Sequence, residues 1–361
     1  MIRVADVLHQ LESIAPRRYA FGFDKVGLQV GDRSAPVAKA VVSLDRSLGA
    51  IRFAADHGAQ LLIAHHPAIW DPLKSVLAGD PVFELIRANV SFIAAHTSWD
   101  VARGGVNDTL AEVLGLTDVV DFGQRPETHL LKLVFTAPSA DSERVIAAAA
   151  AAGAGRLGSY DSCAFSSQGT GQFRALDDAN PHVGKVGEVH QEPETRVEMI
   201  LPTGLQLAVD TAVRRAHPYE TPAIDYFPLS NPGELPIGRI GSLAHAVTLA
   251  GFSATVANRL GHPPLVWGEP KRLIKKVAVV GGAADGEWQE AARAGADCFV
   301  TGEVRQNIAV DSTIPIMAAG HYATEQPGVR ALRDRLHAAI PEVEWLLFTP
   351  EPGFDGRPFV P

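Results

Sequence analysis

The chain has 361 residues, of which 46% are hydrophobic and 20% charged, and a formal net charge of −9. That length and apolar content suffice for one large domain or two ordinary ones, and the charged fraction argues against broad disorder. The acidic balance does not favour a nucleic-acid-binding surface, and the apolar runs are of strand length, well short of a membrane span.

No basic segment followed by an apolar stretch stands at the start, so no secretory leader is expected. Cys163 and Cys298 are the two cysteines, and they form no paired spacing. A reducing cytoplasm is therefore expected, and any metal site must be built from His and carboxylates.

In chain order, residues 3–14 carry a helical period. Residues 40–45 read as a buried strand, 47–58 as a helix, and 60–66 and 90–96 as two further apolar strands. This βαβα rhythm predicts a parallel α/β sheet. From about Thr128 the pattern changes. A strand at 130–136 and an alanine-rich helix at 139–152 precede a Gly-, Ser- and Asp-rich stretch at 155–187. A strand at 195–201, a helix at 204–216 and a strand at 223–228 follow. The order is ferredoxin-like, with an extended hairpin in its centre.

Its borders, 123–126 and 230–236, are polar and proline-bearing. A small α+β domain over 127–232 is thus expected to interrupt an α/β domain made of 1–126 and 233–361. The α/β rhythm returns with strands at 275–282, 297–303 and 314–319, a helix at 285–295, a helix following Glu325, and a last strand at 343–348.

Three apolar strands end abruptly in metal-competent residues: Ile63-Ala64-His65-His66-Pro67, Ala95-His96-Thr97-Ser98-Trp99-Asp100 and Ala319-Gly320-His321-Tyr322-Ala323-Thr324-Glu325. In a parallel sheet all strand carboxyl ends lie along one edge, so distant residues can converge there. Imidazole and carboxylate without thiolate suit Zn, Fe, Mn, Co or Ni. In a regular strand His65 and His66 would face opposite ways, but Pro67 allows an irregular turn in which each serves a different ion. His321 and Glu325 share one helix face if a helix opens after Gly320, and Glu325 could then bridge two cations with its two oxygens.

His65, His66, Asp100, His321 and Glu325 are the candidate metal ligands. His96 is either a group that orients a neighbour or a buried strand-end histidine. Asp24 and Asp45 lie near strand or loop ends, as carboxylates beside the site or as turn residues. Gly281-Gly282 and Gly169-Thr170-Gly171 could approach a phosphate with backbone amides, but tight turns are the preferred reading. His217-Pro218-Tyr219-Glu220 reads as a helix end entering a strand.

These motifs resemble one family, the dinuclear-metal-centre proteins known as GTP cyclohydrolase I type 2 homologues, or Nif-three-like proteins. The resemblance extends over essentially the whole chain. It rests on Gly22–Gly31, on His65–Pro67 and on His96–Asp100 followed by Gly104–Asp108. Val280-Gly281-Gly282, Val300–Glu303 and Gly320–Glu325 complete it. Phe23 and Lys25 stand where the family has Trp and Asn. Glu303 stands where it has Asp, and the His of the following helix is absent.

The resemblance implies that the five candidates are metal ligands with Glu325 as the bridge. It also implies a toroidal homohexamer with its metals facing an interior cavity, and a PII-like or CutA-like middle insert. The leading expectation is a metal-dependent hydrolase acting on GTP or another phosphate-bearing small molecule, with His96, Glu303 and Tyr322 as candidates for handling protons. The rival expectation is a metal-binding regulator whose insert senses a small molecule.

Overall fold

A computed structural model describes residues 1–231 and 235–351. The first elements are α1 (Val4–Ile14), β1 (Gly27–Val30), β2 (Lys39–Ser43), α2 (Leu48–Asp56), β3 (Leu61–Ala64), α3 (Pro81–Arg87) and β4 (Ser91–Ala94). Next come α4 (His96–Val101), α5 (Val106–Val113) and β5 (Thr117–Phe122). The middle holds β6 (Leu130–Pro138), α6 (Ser142–Ala151), β7 (Ala164–Arg174), β8 (Val189–Pro202), α7 (Gln206–Ala216) and β9 (Ile224–Pro228). Then follow β10 (Gly238–Thr248), α8 (Leu249–Leu260), β11 (Leu265–Trp267), β12 (Leu273–Val279) and α9 (Trp288–Arg293). The last are β13 (Cys298–Thr301), α10 (Gln306–Asp311), β14 (Ile316–Ala318), α11 (His321–Ala339) and β15 (Glu344–Leu347). No helix among the described residues is long and apolar enough to cross a membrane.

The chain packs as two compact units. One comprises Met1–Gly123 and the chain from Pro236 onward, and the other Gln124–Leu235. Of the second expected border, Pro232, Gly233 and Glu234 lie outside the described residues.

The first unit corrects the expectation of a single parallel sheet, because it contains two. A five-stranded sheet runs β1-β4-β3-β2-β15, and a six-stranded one runs β11-β14-β13-β12-β10-β5. Strands β15, β2, β3 and β4 are mutually parallel, with β1 antiparallel at the edge. In the second sheet β12, β13 and β14 are parallel, β11 and β10 run antiparallel to them, and β5 at the edge pairs antiparallel with β10. The parallel strands are apolar at nearly every position because both faces are covered. Leu61, Ile63 and Ile93 pack with Val4, Trp99 and Leu332, and Leu62 and Phe92 pack on the other face with Ile51 and Leu85.

Helix α11 links the two sheets. It begins one turn beyond β14 of the six-stranded sheet, yet Val329, Leu332 and Leu336 bury in the core of the five-stranded one. Each such burial contributes about 1.5–3 kcal/mol. Trp99 of α4, fully buried, donates its indole N–H to the Gly328 carbonyl at 2.8 Å. Gly328 is required there because a Cβ would meet the Val106 backbone at 2.7 Å.

The second unit has the order β6-α6-β7-β8-α7-β9 and one antiparallel sheet, β7-β8-β6-β9. Helices α6 and α7 bury Val145, Ala149, Val209 and Val213 against Leu133, Phe135, Val197 and Met199. The β7–β8 pairing extends from Ala164↔Met199 to Arg174↔Val189. Gly169 and Gly171 therefore lie within a strand and form neither a phosphate loop nor a turn.

Candidate metal centre

The register of the five-stranded sheet places the first half of the site. Ser43 pairs with Ala64, and Ala64 with Ala94. Two residues beyond these ends stand Asp45, His66 and His96, side by side for that reason. The chain keeps its sheet hydrogen bonds just past the strands, with His65 N donating to Ser43 O at 3.1 Å and His96 N to His65 O at 2.8 Å. His96 sits at φ +32°, outside the ordinary range for a side-chain-bearing residue, a strain of the kind found where function fixes a side chain.

The six-stranded sheet supplies the second half by the same rule. Thr301 pairs with Ala318, so Glu303 and His321 follow neighbouring strand ends. His321 opens α11, and Glu325 lies one turn along the same face. The convergence therefore occurs between the carboxyl ends of two sheets, bridged by α11, and not along one edge.

Three groups of donor atoms each lie within 4.8 Å of one another: His65, His66 and His96; His66, His321 and Glu325; and His65, Asp100 and Glu325. Each could hold a metal ion. His65 Nε2 is 3.4 Å from Asp100 Oδ1 and 3.7 Å from Glu325 Oε1. Glu325 Oε2 is 3.1 Å from His66 Nε2 and 3.2 Å from His321 Nε2. Proximity here is not hydrogen bonding: His65 Nε2, Asp100 Oδ1 and Glu325 Oε2 are buried without a hydrogen-bond partner. A buried polar atom left in that state costs about 1–3 kcal/mol. A cation among these nitrogens and oxygens would satisfy them, so the residues fit a bound metal.

Carboxylates fix the imidazoles from behind. Asp45 Oδ1 lies 2.7 Å from His66 Nδ1, Asp24 Oδ1 2.7 Å from His96 Nδ1, and Glu303 Oε1 2.6 Å from His321 Nδ1. Each pair holds the Nδ1–H tautomer and leaves Nε2 for the site. Asp24 also accepts from the Thr97 N–H at 3.1 Å.

The electrostatics follow. Burial opposes charge on Glu325, but His65, His321 and His66 outweigh it and hold its carboxyl well below the usual range. Burial and the nearby Glu325 charge push Asp100 up, against His65. Burial would lower His66, yet Asp45 and Glu325 raise it to about 10. His321 is raised to about 9, first by Glu325. Burial would raise Asp24, but His96 and Thr97 bring it below its ordinary value.

His65, His66, Asp100, His321 and Glu325 thus meet, and His96 joins them. Glu303 reaches the site through His321. Tyr322 packs against the apolar core of the five-stranded sheet. Asp24 and Asp45 hold histidines instead of merely capping turns, and Asp45 was findable, since it ends a strand beside His66.

The paired glycines do not cradle phosphate. The Gly281 N–H donates to Asn107 Oδ1 at 2.9 Å and that of Gly282 to Thr324 Oγ1 at 3.1 Å. Gly282, at φ +69°, leaves the space that Glu325 fills, because a Cβ would overlap Glu325 Oε1. At the rim, exposed Phe23 and Trp70 have centroids 6.2 Å apart, and Trp70 meets His96 edge-on at 5.5 Å.

Comparison with known proteins identifies the family. The family model described as Duf34/NIF3 (NGG1p interacting factor 3) matches residues 2–352. The chain is 37% identical over 326 residues to the GTP cyclohydrolase 1 type 2 homolog of Bacillus subtilis (strain 168), covering 88% of this chain and 87% of that protein. The homolog of the same name in Mycobacterium leprae (strain TN) is 37% identical over 340 residues, 90% of this chain and 87% of that one. The crystal structure of a Bacillus cereus protein related to NIF3 matches with a TM-score of 0.65 at 34% identity, covering 99% of both chains. The chain belongs to the Duf34/NIF3 family.

Proposed function

We propose that this chain holds two divalent cations and is a metal-dependent hydrolase. One observation carries the reading: two donor groups, His65 with Asp100 and His66 with His321, share Glu325, whose oxygens face different histidines. That arrangement supports Glu325 as a bridging ligand for Zn, Fe, Mn, Co or Ni. When bound, such a pair supplies Lewis acidity toward a water nucleophile and toward charge developing on the attacked group.

The protein's own residues do the rest. His96, held at Nδ1 by Asp24, takes or returns a proton at Nε2. Glu303 fixes His321 and, being exposed, stands at the site's mouth. Tyr322 has no proton-handling part in this scheme. Phe23 and Trp70 offer faces on which a planar base can stack. The relatives' name, GTP cyclohydrolase 1 type 2 homolog, makes GTP the first compound to test, followed by phosphoesters.

The βαββαβ order of Gln124–Leu235 supports reading that unit as a PII- or CutA-like insertion. We further propose a cytoplasmic homohexamer, which light scattering in solution would test. Its separate middle unit also favours a second reading, a metal-binding regulator without turnover.

The experiment is metal analysis and turnover together. Wild-type protein is expected to bind two cations per chain and Glu325→Gln none. Mn-, Zn- or Fe-loaded protein should turn over GTP or a phosphoester, and His65→Ala should not. Tight metal without turnover favours the regulator, and absence of metal sinks both readings.

A further inference from the structure

The unit Gln124–Leu235 contains a cavity of about 480 Å³, walled by Gly171, Phe173, His182, Glu194, Tyr219 and Glu220. That volume lies within the range of small-molecule sites. Two motifs that fit neither phosphate nor metal meet there, Gly169-Thr170-Gly171 and His217-Pro218-Tyr219-Glu220.

Glu194 of β8 is 7% exposed. Its Oε1 accepts a hydrogen bond from the Tyr219 hydroxyl at 3.0 Å. No Lys or Arg pairs with it among the described residues. A buried carboxylate without a cation is costly unless something neutralises it. The strand across from it is shaped to receive it, since a Cβ on Gly171 would overlap the Glu194 carboxylate.

The surrounding groups do not supply the missing charge. His217 donates Nε2–H to the Thr136 carbonyl at 2.8 Å and accepts the Tyr219 N–H on Nδ1 at 3.1 Å. Burial lowers its pKa further, so it is neutral. His190 is engaged by Glu192 at 3.0 Å, and Glu220 accepts the Asn180 N–H at 3.1 Å. Burial and Glu194 raise the Tyr219 pKa, which keeps the phenol a donor. The walls are aromatic: Phe173 and Tyr219 meet edge-on at 6.0 Å, and His182 lies 6.2 Å from Tyr219. Ring faces beside a carboxylate favour cations, and the acidic lining opposes phosphate.

We propose that this cavity binds an organic cation, an alkylammonium or guanidinium compound, with its charge on Glu194 and its carbon frame against Phe173 and Tyr219. The proposal is independent of the metal reading, as its residues belong to the other unit.

The test is calorimetric titration of the full-length protein with agmatine and with phenethylamine, alongside inorganic phosphate. Wild type should bind at least one of the two cations, and not phosphate. Glu194→Gln should weaken that cation by about tenfold or more, as expected for a lost charge-assisted bond. Phe173→Ala, which leaves the carboxylate in place, should weaken it as well, and this variant decides the matter if Glu194→Gln fails to fold by circular dichroism. Metal content should be unchanged in both variants. Absence of binding by either cation up to about 10 mM, where affinity is negligible, overturns the proposal. Equal affinity in the folded variants, or phosphate displacing the cation, does so too.

Discussion

At the metal centre, His66, His96 and His321 each give Nδ1 to a carboxylate and keep Nε2 for the site. In the cavity of the Gln124–Leu235 unit, His217 has both ring nitrogens taken by backbone groups. Both regions combine histidine, tyrosine and glutamate within a few residues of sequence, and both bury a glutamate, Glu325 in one and Glu194 in the other. Around Glu325 three histidines crowd the carboxylate, and several polar atoms are left without hydrogen bonds. Around Glu194 a phenol and aromatic rings stand instead. For these four histidines the partner of the second ring nitrogen makes the difference, whereas His65 has neither nitrogen hydrogen-bonded.

The hardest way to break the comparison is to fill the space behind Glu325. Gly282→Ala should lower bound metal to less than about a tenth of wild type and cost about 1–3 kcal/mol of stability, because it combines a positive φ with overlap at Oε1. Elemental analysis and urea unfolding would measure this, and full metal content would show that Glu325 can relocate. A milder probe is Asp45→Asn. It keeps the shape behind His66 but weakens the orienting bond, and chelator competition should show metal affinity down by about 10–100-fold. Unchanged affinity would make Asp45 a bystander.

Acidity sharpens the contrast further. In the metal-free protein His66 and His321 are raised to about 10 and about 9, above their unfolded value near 6.5. Their contribution to stability is therefore complete below that value and lost as pH rises through the folded pKa values. Metal-free protein should show a falling denaturation midpoint between about pH 7 and pH 10, and metal-loaded protein should not, because metal replaces those protons. Parallel curves would refute the coupling.

The smallest effect belongs to the other unit. His217→Ala should cost about 1–3 kcal/mol through the stranded Thr136 carbonyl and leave metal content untouched. Loss of metal would mean that the two regions are not separable.

Much of the site was legible before any coordinates. His65, His66, Asp100, His321 and Glu325 stood out because apolar strands ended in them, and strand periodicity is a local signal. The structure brings the five together. For Asp24 the sequence left two readings, a carboxylate beside the site or a turn residue, because what decides between them is His96, 72 positions away. The roles of the glycine pairs were hidden for a related reason. A glycine's role is set by what occupies the missing side chain's space, and here those occupants are Glu325 and Glu194 from distant segments.

The sequence by itself did not mark β5, β10 or α8, but it determined the apolar strands that carry the candidate ligands, where each of those runs stops, and that the available donors are nitrogen and oxygen. All of these follow from side-chain period and chemistry along a short stretch of chain. Tertiary structure alone decided that the strands divide into two sheets and that α11 leaves one to bury its apolar face in the other. It also decided which nitrogen of each imidazole stays open. Those outcomes depend on contacts between residues far apart in the chain, whose free energies no local pattern records.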